Sequence, residues 1–344
     1  MRLLILNGAL RVWLVMGGLV LAVLPARAGY DPLAVAAVLP EGVDMTLRDT
    51  NRLRDIPLRV YLPTNPAPGP VVLFSHGLGG SREGSSFLGR HWAARGYVAV
   101  FLQHPGSDES VWKNIPPAER MAAMERAASA SNFLLRVQDV QAVITGLAVW
   151  NRTAGNPLIG RLDMNRLGMS GHSFGAVTTE AVSGESFGLA RQRFTDHRIR
   201  AAMVFSPSVP KAGRPEAAFH AVEIPWMLMT GTEDVAPIGH ETAASRLEVY
   251  PYLKGEKYEL VLFGAEHSVF TDRPLPGDHE RRDPNHHRVI LALSTAFWDA
   301  CLRDDAAARE WLQGKGPSKL LDPKDRWQWD AGGRAGAAAE PGKH

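Results

Sequence analysis

Residues 169–177 read MSGHSFGAV, and this stretch decides how the rest of the chain is interpreted. It holds a G-x-S-x-G pentapeptide at residues 171–175, with an apolar run before it and a helix-compatible run after it. A strand, a sharp turn and a helix in this order present a serine as a nucleophile. Glycines at 171 and 175 suit a strained turn that leaves no room for side chains. The pattern predicts Ser173 as the nucleophile, and an ordinary Gly/Ser turn is the alternative.

Two later segments supply partners for such a serine. A strand-like run at residues 226–229 leads into the turn TGTED, which carries Glu233 and Asp234. Another at 258–263 leads into GAEH, which ends at His267. An aspartate in a turn is usually only a turn former, but the order serine, acid, histidine is that of α/β-hydrolases. We therefore predict Asp234 as the acid and His267 as the base, with Glu233 as the alternative acid.

A glycine-rich loop follows an earlier apolar run, VVLF at residues 71–74. Its sequence, SHGLGG at 75–80, matches the His-Gly loop whose backbone amide helps to form an oxyanion hole. The predicted donors are the amides of Leu78 and Phe174. The loop has neither P-loop nor dinucleotide-binding spacing, so no nucleotide cofactor is expected. Three further side chains are candidates to line the pocket, namely His76, His104 and Trp112, and ordinary loop packing is the alternative for them.

These motifs together resemble the serine α/β-hydrolases, within the dienelactone-hydrolase-like and platelet-activating-factor-acetylhydrolase-like esterases. The resemblance rests on FSHGLGGSR (74–82), GHSFGA (171–176), TGTED (230–234) and GAEH (264–267), and it spans residues from about 40 to 303. It implies a triad of Ser173, Asp234 and His267 and no cofactor. Dienelactone hydrolases proper use a cysteine nucleophile, and position 173 is a serine.

Composition fits a globular enzyme. The chain has 344 residues, of which 45% are hydrophobic and 22% charged, and its formal net charge is +2. No Lys/Arg block is present, so nucleic-acid binding is not expected. Residues 29–330 are predicted to form a single domain, and the Gly/Ala-rich residues 331–344 a disordered tail. The sequence leaves the oligomeric state open.

The first 28 residues have the pattern of a signal peptide. Arg2 and Arg11 precede an apolar run at residues 12–24, and the sequence ARA at 26–28 fits a cleavage site. A membrane anchor is the alternative, but Arg11 within it would cost about 2.5 to 3.5 kcal/mol. We expect export to the periplasm or the medium, with no stable membrane anchor after cleavage. Cys301 is the only cysteine, which precludes an intrachain disulfide.

The remaining pattern predicts an α/β fold: a mostly parallel, doubly wound sheet led by an antiparallel hairpin. The hairpin strands are expected at 43–47 and 58–62. The longest helical pattern lies within 117–149, and a closing helix is expected at 285–302.

A patch rich in histidine and aspartate follows His267. Its members are Asp278, His279, Asp283, His286 and His287. Their spacing fits no ligand motif, so no metal site is predicted.

The sequence thus predicts an exported serine carboxylesterase that acts on a small-molecule ester, short-chain or aromatic, through an acyl-enzyme. A non-catalytic binding protein on the same fold is one alternative, and an acyltransferase or a polyester hydrolase with the same triad is another. The segment 206–224 is too short for a large lid, which favours an open site and esterase rather than lipase behaviour. Residues 111–124 are the alternative cover.

Overall fold

Apolar strand-forming runs alternate with helices along most of the chain. The computed structural model describes residues 29–187, 192–210, 213–275, 278–279 and 282–333. The segment that begins at Asp31 forms one compact unit. The predicted signal peptide, residues 1–28, lies outside the described residues, as do residues 334–344 of the predicted tail.

The strands are numbered along the chain. They are β1 (Gly42–Asp49), β2 (Arg54–Tyr61), β3 (Gly69–Ser75), β4 (Val98–Leu102), β5 (Leu162–His172), β6 (Ser186–Phe187), β7 (Gln192–Arg193), β8 (Ile199–Phe205), β9 (Trp226–Glu233), β10 (Lys257–Glu266) and β11 (Arg326–Asp330).

Nine of these strands form one sheet within the described residues, in the order β1-β2-β4-β3-β5-β8-β9-β10-β11. The strands from β4 to β10 in this order run parallel to one another. The hairpin β1–β2 is antiparallel and joins the sheet through β4. The short strands β6 and β7 pair separately. This is an α/β-hydrolase fold, and the predicted parallel sheet with its N-terminal antiparallel hairpin is confirmed.

The helices cover both faces of the sheet. They are α1 (Ser86–Ala94), α2 (Ser110–Lys113), α3 (Arg120–Ala127), α4 (Ala130–Trp150), α5 (Phe174–Val182), α6 (Pro215–Phe219), α7 (Ala243–Arg246), α8 (Pro284–Leu302) and α9 (Ala306–Gln313).

Two pairs of helices build the two layers. Helices α1 and α8 pack together, with the Trp92 and Trp298 rings edge to face at 6.0 Å. Helices α4 and α5 also contact each other, and α4 packs with Val71 and Leu73 of β3. Because side chains alternate along a strand, Phe74 faces the other layer and stacks on Phe101.

Helix α4 is a core helix. By length and composition alone it could cross a membrane, a test that buried helices of folded cores also pass. Val137, Val140 and Ile144 are buried in the core cluster that contains β3 and β4 side chains. We therefore interpret α4 as part of the hydrophobic core.

The helical pattern predicted within 117–149 forms two helices, α3 and α4. Helix α3 ends at Ala127, and Ala128 has a non-helical ψ of 60°. The Ser129 side chain then accepts a hydrogen bond from the Asn132 amide at 3.2 Å and caps α4. A serine that caps a backbone amide starts a new helix. The helical pattern within 117–149 is therefore divided between α3 and α4.

The predicted closing helix, α8, does not end the fold. Helix α9 follows it, and β11 then pairs antiparallel with β10, with Trp329 opposite Tyr258. The sequence RWQWD at 326–330 alternates aromatic and polar residues, which is a strand signal that the sequence interpretation missed.

Helix α5 carries a buried acid. Glu180 is 1% exposed, and its side chain accepts a hydrogen bond from the Ser208 amide at 3.1 Å. Burial raises the pKa of Glu180 to about 8. Glu185 is also buried, and burial together with the nearby Glu180 raises the pKa of its carboxyl. Both carboxyls are therefore held in a place that disfavours their charge.

We expect Glu180→Gln to stabilise the protein more at pH 8 than at pH 5. A raised folded-state pKa means that stability is full below the unfolded pKa and is lost as the pH rises towards about 8. Glutamine keeps the acceptor for Ser208 and cannot ionise. The measurement is the melting temperature at both pH values, with the exposed Glu216→Gln as control. An equal shift at both pH values would contradict this account.

Candidate active site

Ser173 lies at the sharp turn between β5 and α5. Its backbone has φ 57° and ψ −116°, which is a strained conformation for a residue with a side chain. Its amide donates to the carbonyl of Phe205 at 3.0 Å, which fixes the turn against β8. The side chain is half-buried. The turn thus presents the hydroxyl at the carboxyl edge of the parallel strands.

The flanking glycines are required by close backbone approaches. A Cβ at Gly175 would overlap the carbonyl oxygen of Ser75, at the end of β3. A Cβ at Gly171 would overlap the carbonyl of Gly175. The first turn of α5 therefore rests directly on the backbone of the neighbouring strand.

His267 joins Ser173 to Asp234. Its Nε2 lies 2.9 Å from Ser173 Oγ, and its Nδ1 lies 2.6 Å from Asp234 Oδ1. A carboxylate can only accept, so Nδ1 carries the proton towards Asp234 and Nε2 is left to accept the serine hydroxyl. The structure brings together the three residues that the sequence placed in one triad.

Asp234 is fully buried and saturated with donors. Its Oδ2 accepts the hydroxyls of Ser206 at 2.7 Å and Thr230 at 2.8 Å, and Arg246 Nε lies 3.4 Å from Oδ1. Burial by itself would raise the pKa of Asp234. The hydrogen bond from His267, the Arg246 charge and the Ser206 hydroxyl outweigh burial and hold this pKa below its usual range. The carboxylate is charged at neutral pH.

Glu233, the alternative acid, points elsewhere. It is exposed, and its carboxylate accepts a long hydrogen bond of 3.4 Å from the neighbouring Thr232. Adjacent residues of an extended segment face opposite sides. The geometry therefore favours Asp234 over Glu233.

The amides of Leu78 and Phe174 have no acceptor among the described residues. The loop that carries Leu78 is held by Gly79, whose amide donates to Ser107 at 2.9 Å, and by Gly80, whose amide donates to Gly77 at 3.1 Å. Free amides at a helix start and in an adjacent loop are donors that a developing oxyanion needs.

His76 and His104 were candidates for the pocket, with loop packing as the alternative, and both side chains are buried. His76 Nε2 accepts the His104 amide at 3.1 Å, and His104 bonds to Ser75 Oγ at 3.0 Å and to Asp139 Oδ2 at 3.1 Å. Burial and the nearby Arg136 lower the pKa of both rings, that of His104 to about 4. They are neutral supports of the loop rather than pocket-lining residues.

Trp112 lies beside the loop. Its Nε1 donates to the Gly79 carbonyl at 2.7 Å, and its ring is half-buried. A Cβ at Gly79 would meet the side chains of Met124 and Trp112. Helices α2 and α3 therefore pack on the loop that carries Leu78.

Side chains of the histidine-rich patch form ordinary structural hydrogen bonds. His286 donates to the Phe263 carbonyl at 3.1 Å, and His287 donates to the Val269 carbonyl at 2.8 Å. Asp283 caps α8. In the described part of the chain, no group of three or more His, Cys, Asp or Glu side chains is placed to hold a metal ion.

The sequence interpretation missed several buried polar residues near the site. They are Ser75, Arg136, Asp139, Ser206 and Arg246. One signal was present: Arg136 and Asp139 lie three residues apart on the apolar stripe of a helix, where charges are rare.

The fold and this geometry define a protein of the α/β-hydrolase class with a Ser–His–Asp arrangement. Residues 59–125 match the family described as platelet-activating factor acetylhydrolase, isoform II. The predicted resemblance to these esterases is therefore confirmed, and a hydrolase is supported. The matched segment contains the Leu78 loop and Trp112, and the three triad positions lie outside it. A comparison with curated proteins finds no match.

We expect Asp234→Asn to lower kcat by about 10³- to 10⁴-fold, because the amide no longer fixes the His267 tautomer. Glu233→Gln is the matched control and should change kcat less than about threefold, since its side chain is exposed. Steady-state hydrolysis of p-nitrophenyl acetate measures both. The reverse ranking would identify Glu233 as the acid.

Proposed function

We propose that this protein is a serine carboxylesterase that hydrolyses small esters through an acyl-enzyme. The observation that carries the proposal is the hydrogen-bonded chain from Ser173 Oγ through His267 to Asp234, at 2.9 and 2.6 Å. The Leu78 and Phe174 amides, which have no acceptor among the described residues, support it. Phe174 directly follows Ser173, and a Cβ at Gly77, next to Leu78, would lie 3.4 Å from Ser173 Cβ. The family match over residues 59–125 is consistent with ester hydrolysis.

Acylation begins when Ser173 Oγ attacks the ester carbonyl carbon and His267 Nε2 takes the hydroxyl proton. The carbonyl electron pair moves to oxygen, and the Leu78 and Phe174 amides bind the resulting oxyanion. The intermediate then collapses. The bond to the alcohol oxygen breaks, and His267 returns its proton to the leaving alkoxide.

Deacylation repeats these steps with water. His267 takes a proton from water, the hydroxide attacks the acyl carbon, and the carboxylic acid leaves as Ser173 regains its proton. Asp234 stays ionised throughout and stabilises the imidazolium that forms in each half-reaction. An acyl acceptor other than water would make the same site an acyltransferase, and nothing in the geometry favours that acceptor.

The surroundings of the site favour an open entrance. Among the described residues of segment 206–224, the five-residue helix α6 is the only helix, and its Ala218 and Phe219 pack into a core cluster with Trp226. That packing holds α6 against the core. We propose that Trp112 and Met124, which lie against the Leu78 loop, border the bound ester instead. Short acyl groups fit such a site without displacement of a large lid.

We further propose that the protein is exported. The support is the sequence of residues 1–28, with its basic start, apolar run and ARA cleavage pattern. The proposal would place the esterase in the periplasm or the medium.

The central test is Ser173→Ala. We expect hydrolysis of p-nitrophenyl acetate to fall by at least about 10³-fold, with an unchanged circular dichroism spectrum, because the nucleophile is removed. A fluorophosphonate probe should label the wild type and fail to label the variant. Ser81→Ala is the control, since Ser81 is also a half-buried serine and lies outside the triad. Labelling of the Ser173→Ala protein at the wild-type rate would refute the proposal.

We expect rates to decline from p-nitrophenyl acetate towards the palmitate ester, because the described residues of segment 206–224 form no large lid and α6 packs into the core. With tributyrin, the rate should rise smoothly through the solubility limit. A jump at that limit would reveal interfacial activation and contradict the open-site proposal.

A further inference from the structure

Arg136 is a fully buried arginine that the triad does not use. It projects from α4 behind the Leu78 loop. Its Nη2 donates to the carbonyl oxygen of His76 and, at 3.4 Å, to Ser75 Oγ, and its Nη1 donates to Ser107 Oγ at 3.2 Å. All of these acceptors are neutral.

No carboxylate forms an ion pair with Arg136 in the part of the chain that the structure describes. The nearest acid on the same helix, Asp139, is instead bound by Arg54 at 2.8 Å, by Arg52 at 2.9 Å and by His104 at 3.1 Å. Burial lowers the pKa of Arg136 to about 9, and the more distant Asp139 and Asp108 oppose that shift. The guanidinium is therefore a buried cation at neutral pH with no contacting counter-ion.

Such a cation is costly to bury, so its position calls for an explanation. A neutral amide could donate to the His76 carbonyl at a smaller desolvation cost. Arg136 differs from such an amide because it contacts both parts of the chain that present the proposed oxyanion donors, the Leu78 loop and Phe174. It holds the His76 carbonyl, two residues before Leu78, and its guanidinium carbon lies 4.6 Å from the centre of the Phe174 ring.

We propose that Arg136 is a positioning residue of the oxyanion hole. It fixes the loop that presents the Leu78 amide and the residue that presents the Phe174 amide, and its charge adds a positive potential where the oxyanion develops. This inference rests on the proposed esterase function, because the oxyanion forms only when Ser173 attacks an ester.

The buried chain of Ser75, His104 and Asp139 supports this arrangement. It has the residue types of a catalytic triad, but Ser75 is 0% exposed and its hydroxyl accepts from Arg136. Asp139 orients His104, His104 accepts the Ser75 hydroxyl, and the Ser75 oxygen faces the guanidinium. The chain therefore holds Arg136 in place and has no access to substrate.

The test compares an ester with its thiono analogue, in which sulfur replaces the carbonyl oxygen. Sulfur accepts hydrogen bonds weakly, so the thiono reaction depends less on the oxyanion hole. For p-nitrophenyl acetate, Arg136→Met should lower kcat by about 10- to 100-fold with little change in KM. The ratio of oxo to thiono kcat should fall at least fivefold. Arg136→Lys keeps the charge and should restore part of the ratio.

Arg95→Met is the matched control. Arg95 binds a buried aspartate, Asp299, from the α1–α8 layer, so its loss should destabilise the protein and leave the ratio unchanged. If Arg136→Met does not fold, the ratio of oxo to thiono kcat in Arg136→Lys is the test. This ratio should lie below that of the wild type, because lysine lacks the two Nη donors that bind His76 and Ser107. If the wild type is active and the folded Arg136 variants keep its ratio of oxo to thiono kcat, the proposed role of Arg136 is wrong and the esterase proposal stands. A wild type inert on both esters overturns the esterase function and this inference with it.

Discussion

The backbone contact between Gly175 and Ser75 sets the spacing of the whole site. Because residue 175 has no side chain, α5 begins directly against the end of β3. This approach forces the tight turn seen in the positive φ of Ser173. It also brings the Phe174 amide to the side of the loop that carries Leu78. The proposed nucleophile and the proposed oxyanion donors are thus positioned by one steric constraint, and the strain at Ser173 is sustained by the surrounding sheet.

Proximity of the triad follows from topology, which is why it could be predicted. Ser173, Asp234 and His267 each follow a parallel strand, and the carboxyl ends of parallel strands meet at one edge of the sheet. The choice between Asp234 and Glu233 depends on which way a turn faces, and that is decided by tertiary contacts. Ser206 and Thr230 hold Asp234 inwards, and Ser206 lies outside the turn motif TGTED that pointed to the acid.

Other features depend on partners that are distant in the sequence. His104 follows a strand at the correct edge, so a pocket position was a reasonable prediction, but Asp139 of α4 draws it into the interior. Asp139 in turn is bound by Arg54, 85 residues away. The periodicity of the sequence shows that one face of α4 is apolar. It does not show which distant residues bind the two charged side chains on that face, Arg136 and Asp139. The break at Ser129 was missed for a different reason, since a single capping residue outweighed a continuous apolar repeat.

The two buried arginines near Ser173 act on opposite sides of the proposed reaction. Arg246 lies on the acid side, where its charge helps to keep Asp234 ionised and so favours movement of the serine proton onto His267. Arg136 lies on the side of the Leu78 and Phe174 amides, where negative charge would gather on the substrate oxygen. Both guanidiniums are fixed by backbone carbonyls and hydroxyls before any substrate arrives. The charges that would develop on His267 and on the substrate oxygen during the proposed reaction would therefore be stabilised by groups that are already in place. Such preorganisation, rather than the triad alone, is what makes a serine nucleophile effective.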